Sequence, residues 1–160
     1  MSRKNVQNAH ISDEMLHRIY TSIVDIVMLI NQPQRDEVLI KKAGIQLDRV
    51  LFPLFVGINH FGPIGVVELA SNIGRDYSTV SRQLSRLQKL GLIERREGVK
   101  DKRVSEVNIS SEGKKMINHI NNARKDFGQM IFEEWDSRDI EEFIRLLQKF
   151  TNSVKHKDIE

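Results

Sequence analysis

The chain has 160 residues and a formal net charge of +3, with 39% hydrophobic and 29% charged residues. This length predicts one domain that is large enough to bury a real core. The absence of cysteine excludes disulfides, cysteine-ligated zinc and thiol-based peroxide sensing. The chain has no apolar run long enough to span a bilayer and no secretion signal at its start, so we expect a cytoplasmic protein with no membrane partner.

The first half of the chain predicts two helices separated by an irregular segment. Apolar residues between Met15 and Ile30 cover more than one stripe, so we expect this helix to be covered on more than one side. Residues 32–36 are predicted to form a connecting loop. A second helix is predicted from Leu47 to Phe61, and Pro53 should either kink that helix or mark its true first turn.

A helix-turn-helix is predicted over residues 66–90. The first helix is short and ends at Gly74, which supplies the tight turn that this motif needs. In the second helix, at about 100° per residue, Val80, Leu84 and Leu87 fall in one narrow apolar arc. An isolated helix of this kind is most often an ordinary amphipathic surface helix. The segments on either side of it change that interpretation.

The opposite face of this second helix is polar and basic. It carries hydroxyls and guanidiniums, groups that reach base edges in the DNA major groove. Gln83 lies nearer the apolar side, so we rank it below Arg82 as a reader of bases. Asp76 is placed as the N-cap of the helix and Gly91 as the residue at which it stops. These features predict a recognition helix.

A basic hairpin follows the candidate recognition helix. Residues 92–96 and 104–109 alternate as two strands, and the tip between them is rich in charge. Asp101 can orient Arg103 through a charge-assisted hydrogen bond. Arginine is the side chain favoured in a narrow minor groove, where the negative potential is strongest. The hairpin is therefore predicted to contact the DNA backbone or the adjacent minor groove.

Two more amphipathic helices are predicted at the end of the chain. One begins after Ser110, and the other begins near Ser137 with Asp136 or Ser137 as its cap. These helices and the first one could complete the core of a single molecule. They also suit an interface between two copies, because they are remote in sequence from the DNA-contacting segment.

These motifs together resemble the winged helix-turn-helix of the multiple-antibiotic-resistance regulator (MarR) family of bacterial transcription factors. The matching residues are Glu68–Ala70, Gly74, Ser78–Arg82, Leu87, Gly91–Ile93, Arg95, Asp101, Arg103, Val107 and Ser110–Gly113. The resemblance implies a mainly α-helical fold with a small β-hairpin wing and dimerisation helices at both ends. It implies one domain over 1–160, in which 47–110 form the DNA-binding lobe and 1–46 and 111–160 form the helical dimerisation region.

The resemblance also implies a function. It implies a sequence-specific regulator of transcription, a repressor, which binds a pseudo-palindromic operator in double-stranded DNA as a homodimer and which a small aromatic or phenolic effector could release. Arg75 replaces the aliphatic residue of many family members and could add a phosphate contact. The expected DNA-binding residues are Arg75, Ser78, Thr79, Ser81, Arg82, Ser85, Arg86, Arg95, Lys100, Lys102 and Arg103, with Asp101 orienting the wing.

The distribution of charge agrees with this function. Residues 75–103 contain nine basic and four acidic side chains, a net charge of +5, whereas the whole chain carries only +3. The remainder of the chain is therefore negative, and the positive charge is concentrated on the predicted DNA face. We expect the protein to be associated with the nucleoid.

Enzymatic and metal-binding functions are disfavoured. The five histidines show no metal-ligand spacing, and the chain has neither a phosphate-binding glycine loop nor a nucleophile elbow. We therefore expect no catalytic residue, no metal and no cofactor.

Two non-enzymatic alternatives remain at this point. A nonspecific architectural DNA-binding protein would bind all sequences with similar affinity and lose that affinity steeply with salt. A winged helix that serves as a protein-interaction module would carry apolar or acidic groups in place of Ser78, Arg82 and Arg103. This chain keeps the polar and basic groups at those positions.

Overall fold

The computed structural model describes residues 11–98 and 105–156. In chain order its elements are α1 (Asp13–Ile30), α2 (Pro33–Lys42), α3 (Phe52–Phe61), β1 (Ile64–Gly65), α4 (Val66–Asn72), α5 (Tyr77–Lys89), β2 (Ile93–Glu97), β3 (Ser105–Ile109), α6 (Ser111–Ile131) and α7 (Ser137–His156). The fold is mainly α-helical with a small antiparallel sheet, as the sequence predicts.

Polar side chains cap three of the helices at the positions that the sequence predicts. Asp76 accepts a hydrogen bond from the Thr79 amide at 2.8 Å at the start of α5. Ser110 and Asp136 do the same for α6 and α7, each by accepting from an amide three residues further on. Such bonds satisfy backbone donors that have no partner within the helix. Gly74 has a φ of +63°, which confirms the predicted turn between α4 and α5.

The sheet has three strands in the order β1-β3-β2. β2 and β3 form the predicted hairpin, with Ile93 opposite Ile109. The sequence did not predict β1, a two-residue strand in which Ile64 pairs with Val107. Because β1 is paired along the outer edge of β3, it ties the start of the helix-turn-helix to the base of the hairpin.

One hydrophobic core extends from Ala43 to Ala123 and includes residues of α3, α4, α5, α6 and the sheet. Phe55 is the largest of its fully buried side chains. Helix α1, in contrast, has no buried residue in the single chain, so its own chain does not supply the predicted cover on more than one side. Among the helices of residues 11–98 and 105–156, none combines the length and hydropathy needed to cross a bilayer.

Two predicted boundaries are wrong. Residues 32–36 belong mostly to helix α2 rather than to a loop, and Pro33 stands at its first turn, where the missing N–H of proline costs no hydrogen bond. The predicted helix over 47–61 begins only at Phe52, so Pro53 lies in its first turn. Residues 47–51 form a turn instead, in which the Leu51 amide donates to the Asp48 carbonyl at 2.9 Å.

The start of α6 packs closely against the end of the helix-turn-helix. The Ser110 hydroxyl donates to the Gly91 carbonyl at 2.6 Å, and the Ser110 amide donates to the Leu92 carbonyl at 3.1 Å. A Cβ atom on Gly113 would overlap the Leu92 carbonyl oxygen and lie 2.9 Å from Ile109 Cγ2. Only glycine therefore allows this approach.

We expect Gly113→Ala to destabilise the protein by roughly 1–3 kcal/mol, because the added methyl group overpacks a contact with backbone atoms. Gly128→Ala is the matched control: it lies in the same helix, and its Cβ would meet no atom within 4 Å. That change should stabilise by about 0.5–1 kcal/mol. Urea unfolding followed by circular dichroism at one fixed protein concentration measures both. Equal effects of the two substitutions would contradict the close packing.

Candidate nucleic-acid interface

Helix α5 has one face in the core and one face in solvent. Val80, Leu84 and Leu87 are completely buried, as the predicted apolar arc requires. The side chains on the other face are exposed, and they include Ser78, Arg82, Ser85 and Arg86, while Thr79 and Ser81 are half-buried at its edges. The structure therefore brings together the helical part of the predicted DNA-binding set on one solvent-facing surface, which we call the α5 polar face.

The first turn of α5 is held by Asp76. One carboxylate oxygen of Asp76 accepts from the Ser78 hydroxyl at 2.7 Å and from the Thr79 amide at 2.8 Å. These bonds, first that of Ser78 and then those of Thr79, hold the pKa of Asp76 well below its ordinary value of 3.8. The carboxylate is thus ionised at neutral pH. It orders the N-terminal residues of the helix, which are the ones that a recognition helix presents to base edges.

Arg82 lies near the middle of the α5 polar face. Its Nη2 donates to Thr79 Oγ1 at 3.4 Å, a long and therefore weak hydrogen bond. The Ser85 hydroxyl, in contrast, donates to the Ser81 carbonyl at 3.0 Å. Arg82 has the reach and the fixed fork of donors that suit the two acceptors of guanine. A base contact by Arg82 stays a prediction, and this geometry is compatible with it.

Arg75 makes a contact within the protein that the sequence did not predict. Its Nη1 donates to Gln83 Oε1 at 3.1 Å. Gln83 is only 7% exposed, in agreement with its low rank as a reader of bases. The bond satisfies the side-chain oxygen of the buried Gln83. It also directs one side of the half-buried Arg75 guanidinium inward. A phosphate contact through the other N–H donors of Arg75 stays a prediction.

Arg86 also has a partner within the protein. Its Nη2 donates to Asp48 Oδ2 at 2.6 Å. Asp48 lies in the turn over residues 47–51, far from α5 in sequence. The sequence does not predict Asp48 as a partner of Arg86, because its pattern predicts helix over residues 47–51. The available signal was an acidic residue next to a basic one, Asp48-Arg49, just before the Phe-Pro pair that starts α3.

The described part of the hairpin contributes Arg95, which is exposed on β2 and pairs in register with Val107. The neighbouring Arg96 forms an ion pair with Glu94. The predicted wing residues Lys100, Asp101, Lys102 and Arg103 lie outside the described residues, and their roles stay predictions.

A cavity of about 760 Å³ lies behind α5, between that helix and the helices α2, α3 and α6. Three arginines line it together with Asp36: Arg49, Arg75 and Arg124. Burial raises the pKa of Asp36, and the positive charges of the three arginines, with Arg124 the strongest, act in the opposite direction. Arg49 also pairs with Glu37 at 2.8 Å, so three guanidiniums and two carboxylates leave this region with an excess of one positive charge.

Comparison with known proteins places this geometry in a family. A family model described as HVO_A0114 matches residues 54–107, which run from α3 to β3. The uncharacterized HTH-type transcriptional regulator YxaD of Bacillus subtilis is 33% identical over 113 residues, covering 71% of this chain and 78% of that protein. The chain belongs to the HTH-type transcriptional regulators.

Solved structures show the same fold. A MarR family protein from Bacillus stearothermophilus has a TM-score of 0.68 at 20% identity, over 87% of this chain and 97% of that one. A MarR transcriptional regulator from Methanosarcina mazei Go1 has a TM-score of 0.64 at 21% identity, over 86% of this chain and 98% of that one. The chain therefore has the fold of these MarR proteins, in which α4 and α5 are the helix-turn-helix and the sheet is the base of the wing.

Proposed function

We propose that this chain is a sequence-specific DNA-binding repressor of the MarR type that acts as a homodimer on a pseudo-palindromic operator. The observation that carries the proposal is the α5 polar face. Arg82 and the hydroxyls of the first turns lie on this face, while the opposite face of the helix is buried in the core. Such a helix presents donors of the kind that read base edges in a major groove. A dimer bound across an operator excludes other proteins from that DNA, so we propose repression.

The α5 polar face favours this function over the two alternatives. An interaction module would need an apolar surface there, but the exposed groups are hydroxyls and guanidiniums. An architectural protein would need only phosphate contacts, which lysine and arginine supply at any position. The ordered first turn of α5, with Asp76 bonded to both Ser78 and Thr79, instead supports reading of base sequence.

The terminal helices support the homodimer and the proposed division into a DNA-binding lobe (47–110) and a dimerisation region (1–46 and 111–160). Most large apolar side chains of α1 and α7 stay between one third and two thirds exposed in the single chain, among them Ile19 of α1 and Phe143, Leu147 and Phe150 of α7. A groove of about 640 Å³ runs between these two helices. Contiguous apolar surface of this extent marks an interface. We propose that a second copy covers it.

The cavity behind α5 supports regulation by a small aromatic or phenolic anion. Its positive charge comes from Arg49, Arg75 and Arg124, while Phe52 and His60 supply aromatic surface. Arg75 also bonds Gln83 of α5. A carboxylate or phenolate that attracted Arg75 would therefore remove a hydrogen bond from the recognition helix. We propose that such an effector releases the operator.

For the DNA contacts, we expect Arg82→Ala and Arg95→Ala to change DNA binding in different ways. Loss of Arg82 should cost roughly 1–3 kcal/mol and relax the preference at one base position in each half-site. Loss of Arg95, a phosphate contact, should weaken binding to all sequences alike and reduce the dependence of log affinity on log salt by about one. Binding-site selection with the wild-type protein, followed by titration of both variants, measures this.

Two outcomes would contradict the model of DNA recognition. Selection that enriched no sequence would favour the architectural alternative. If both variants bound the selected operator as tightly as the wild type, the α5 polar face would not be the DNA-binding surface.

For the dimer, Leu147→Asp should shift the protein to monomers, because it places a charge in the apolar face of α7. Asn152→Asp introduces the same side chain on the opposite, polar face of that helix and should leave the dimer intact. Sedimentation equilibrium measures the mass of both variants, and fluorescence of Trp135, the single tryptophan, reports on the region near α7. Unchanged mass for Leu147→Asp would place the interface elsewhere.

For the effector, benzoate is a suitable probe. It should raise the melting temperature of the wild type, because a ligand that binds only the folded state stabilises it by mass action, and it should weaken operator binding. Arg124→Gln should reduce both effects. Benzyl alcohol, which has the same ring without the charge, is the control ligand. Equal effects of the two compounds, or full effects on the variant, would count against an anion site.

A further inference from the structure

Two adjacent residues in the turn over residues 47–51 form ion pairs in opposite directions. Asp48 accepts from Arg86 of α5 at 2.6 Å. The next residue, Arg49, donates from Nη1 to Glu37 Oε1 of α2 at 2.8 Å. We call this segment the Asp48–Arg49 turn. Through it, the recognition helix and α2 are connected by two charge pairs that share one peptide unit.

The Asp48–Arg49 turn is itself held firmly in place. Leu47 and Leu51, at its two ends, are both buried in the core. Within it, the Val50 amide donates to Asp48 Oδ1 at 2.9 Å, and the Leu51 amide donates to the Asp48 carbonyl at 2.9 Å. The bond from Val50 and that from Arg86 lower the pKa of Asp48 from its ordinary value, so the carboxylate stays ionised. Asp48 therefore offers Arg86 a fixed acceptor.

The position of the turn gives these pairs their importance. Helix α2 packs against α6, in the helical region of the chain, whereas α3 packs against α5 and the sheet. The turn joins α2 to α3. It thus lies at the junction between the helical region (1–46 and 111–160) and the proposed DNA-binding lobe (47–110). An exposed ion pair is usually worth little, because two flexible side chains must be ordered to form it. Here Asp48 is already ordered by its own turn, which reduces that cost.

We propose that Asp48 and Arg49 are positioning residues: acting through Arg86 and Glu37, they set the orientation of the recognition helix relative to the helical region. In a dimer this orientation fixes the distance between the two recognition helices, and so the half-site spacing that the protein accepts. The inference rests on the proposed DNA-binding function. It also reassigns Arg86, which acts on DNA through the orientation of α5 rather than through a phosphate contact of its own.

The direction in which Asp48→Asn changes DNA affinity distinguishes positioning of α5 from competition for Arg86. If Arg86 bound phosphate and Asp48 merely competed for it, Asp48→Asn would tighten DNA binding. If the pair positions α5, Asp48→Asn should weaken binding to the operator of preferred spacing by about two- to fivefold per protomer, the range that exposed ion pairs give. It should also reduce the discrimination against operators whose half-sites are one base pair closer or further apart.

The DNA experiment uses the full chain and five variants. Arg86→Gln should match Asp48→Asn, and the double variant should lose no more than either single one, because the two residues act as a pair. The exchanged pair, Asp48→Arg with Arg86→Asp, should recover part of the lost affinity. Lys115→Gln removes an exposed ion pair with Glu112 in α6 and is the matched control. Tighter binding by Asp48→Asn, or normal binding and spacing preference, would overturn the proposal.

A second measurement does not depend on DNA. The chain has no cysteine, so Lys41→Cys in α2 and Lys89→Cys in α5 can carry one spin label each. With unlabelled protein in excess, pulsed dipolar spectroscopy then measures the distance between α2 and α5 within one protomer. Asp48→Asn and Glu37→Gln should broaden this distribution, and Lys115→Gln should not. Equal widths would overturn the positioning role, whether or not the wild type selects an operator.

Discussion

Burial of one face of α5 is the constraint on which the rest of the structure depends. Val80, Leu84 and Leu87 are fully inaccessible, and each buried aliphatic side chain of this size contributes about 1.5–3 kcal/mol. The helix therefore cannot rotate about its own axis without losing a large part of the core. Since its rotation is fixed, the direction in which Arg82 points is fixed as well. The packing of α5 therefore determines which of its side chains are presented to solvent.

The three arginines in or next to α5 divide into two groups. Arg82 faces solvent with one weak bond, while Arg75 and Arg86 bond to Gln83 and to Asp48. Burial fixes the rotation of the helix, and these two polar links add restraints at its start and near its end. Arg75 and Gln83 both line the cavity, and Asp48 lies at the junction with α2. A change at either place can therefore alter the helix without any change in its apolar face.

Local signals explain what could be predicted from the sequence. The cap at Asp76, the turn at Gly74 and the apolar arc of α5 depend on neighbouring residues, and all three agree with the structure. The helix that starts at Pro33 and the turn over residues 47–51 were predicted wrongly, because proline marks a loop and a first helical turn equally well. The strand β1 is too short to have a pattern, and it forms only because β3 lies beside it. The partners of Arg75 and Arg86 depend on tertiary structure, and no periodicity reveals them.

The distribution of burial links assembly to recognition. The core runs from Ala43 to Ala123 within one chain, whereas α1 buries none of its residues there. The helix-turn-helix is therefore packed within a single chain, whereas the apolar faces of the terminal helices stay open to the proposed second copy. Within the single chain, α2 packs against α6 and α3 packs against α5. The Asp48–Arg49 turn joins α2 to α3 at this junction. In the proposed dimer, half-site spacing is then a property of both protomers together, although the proposed base contacts belong to a single helix in each.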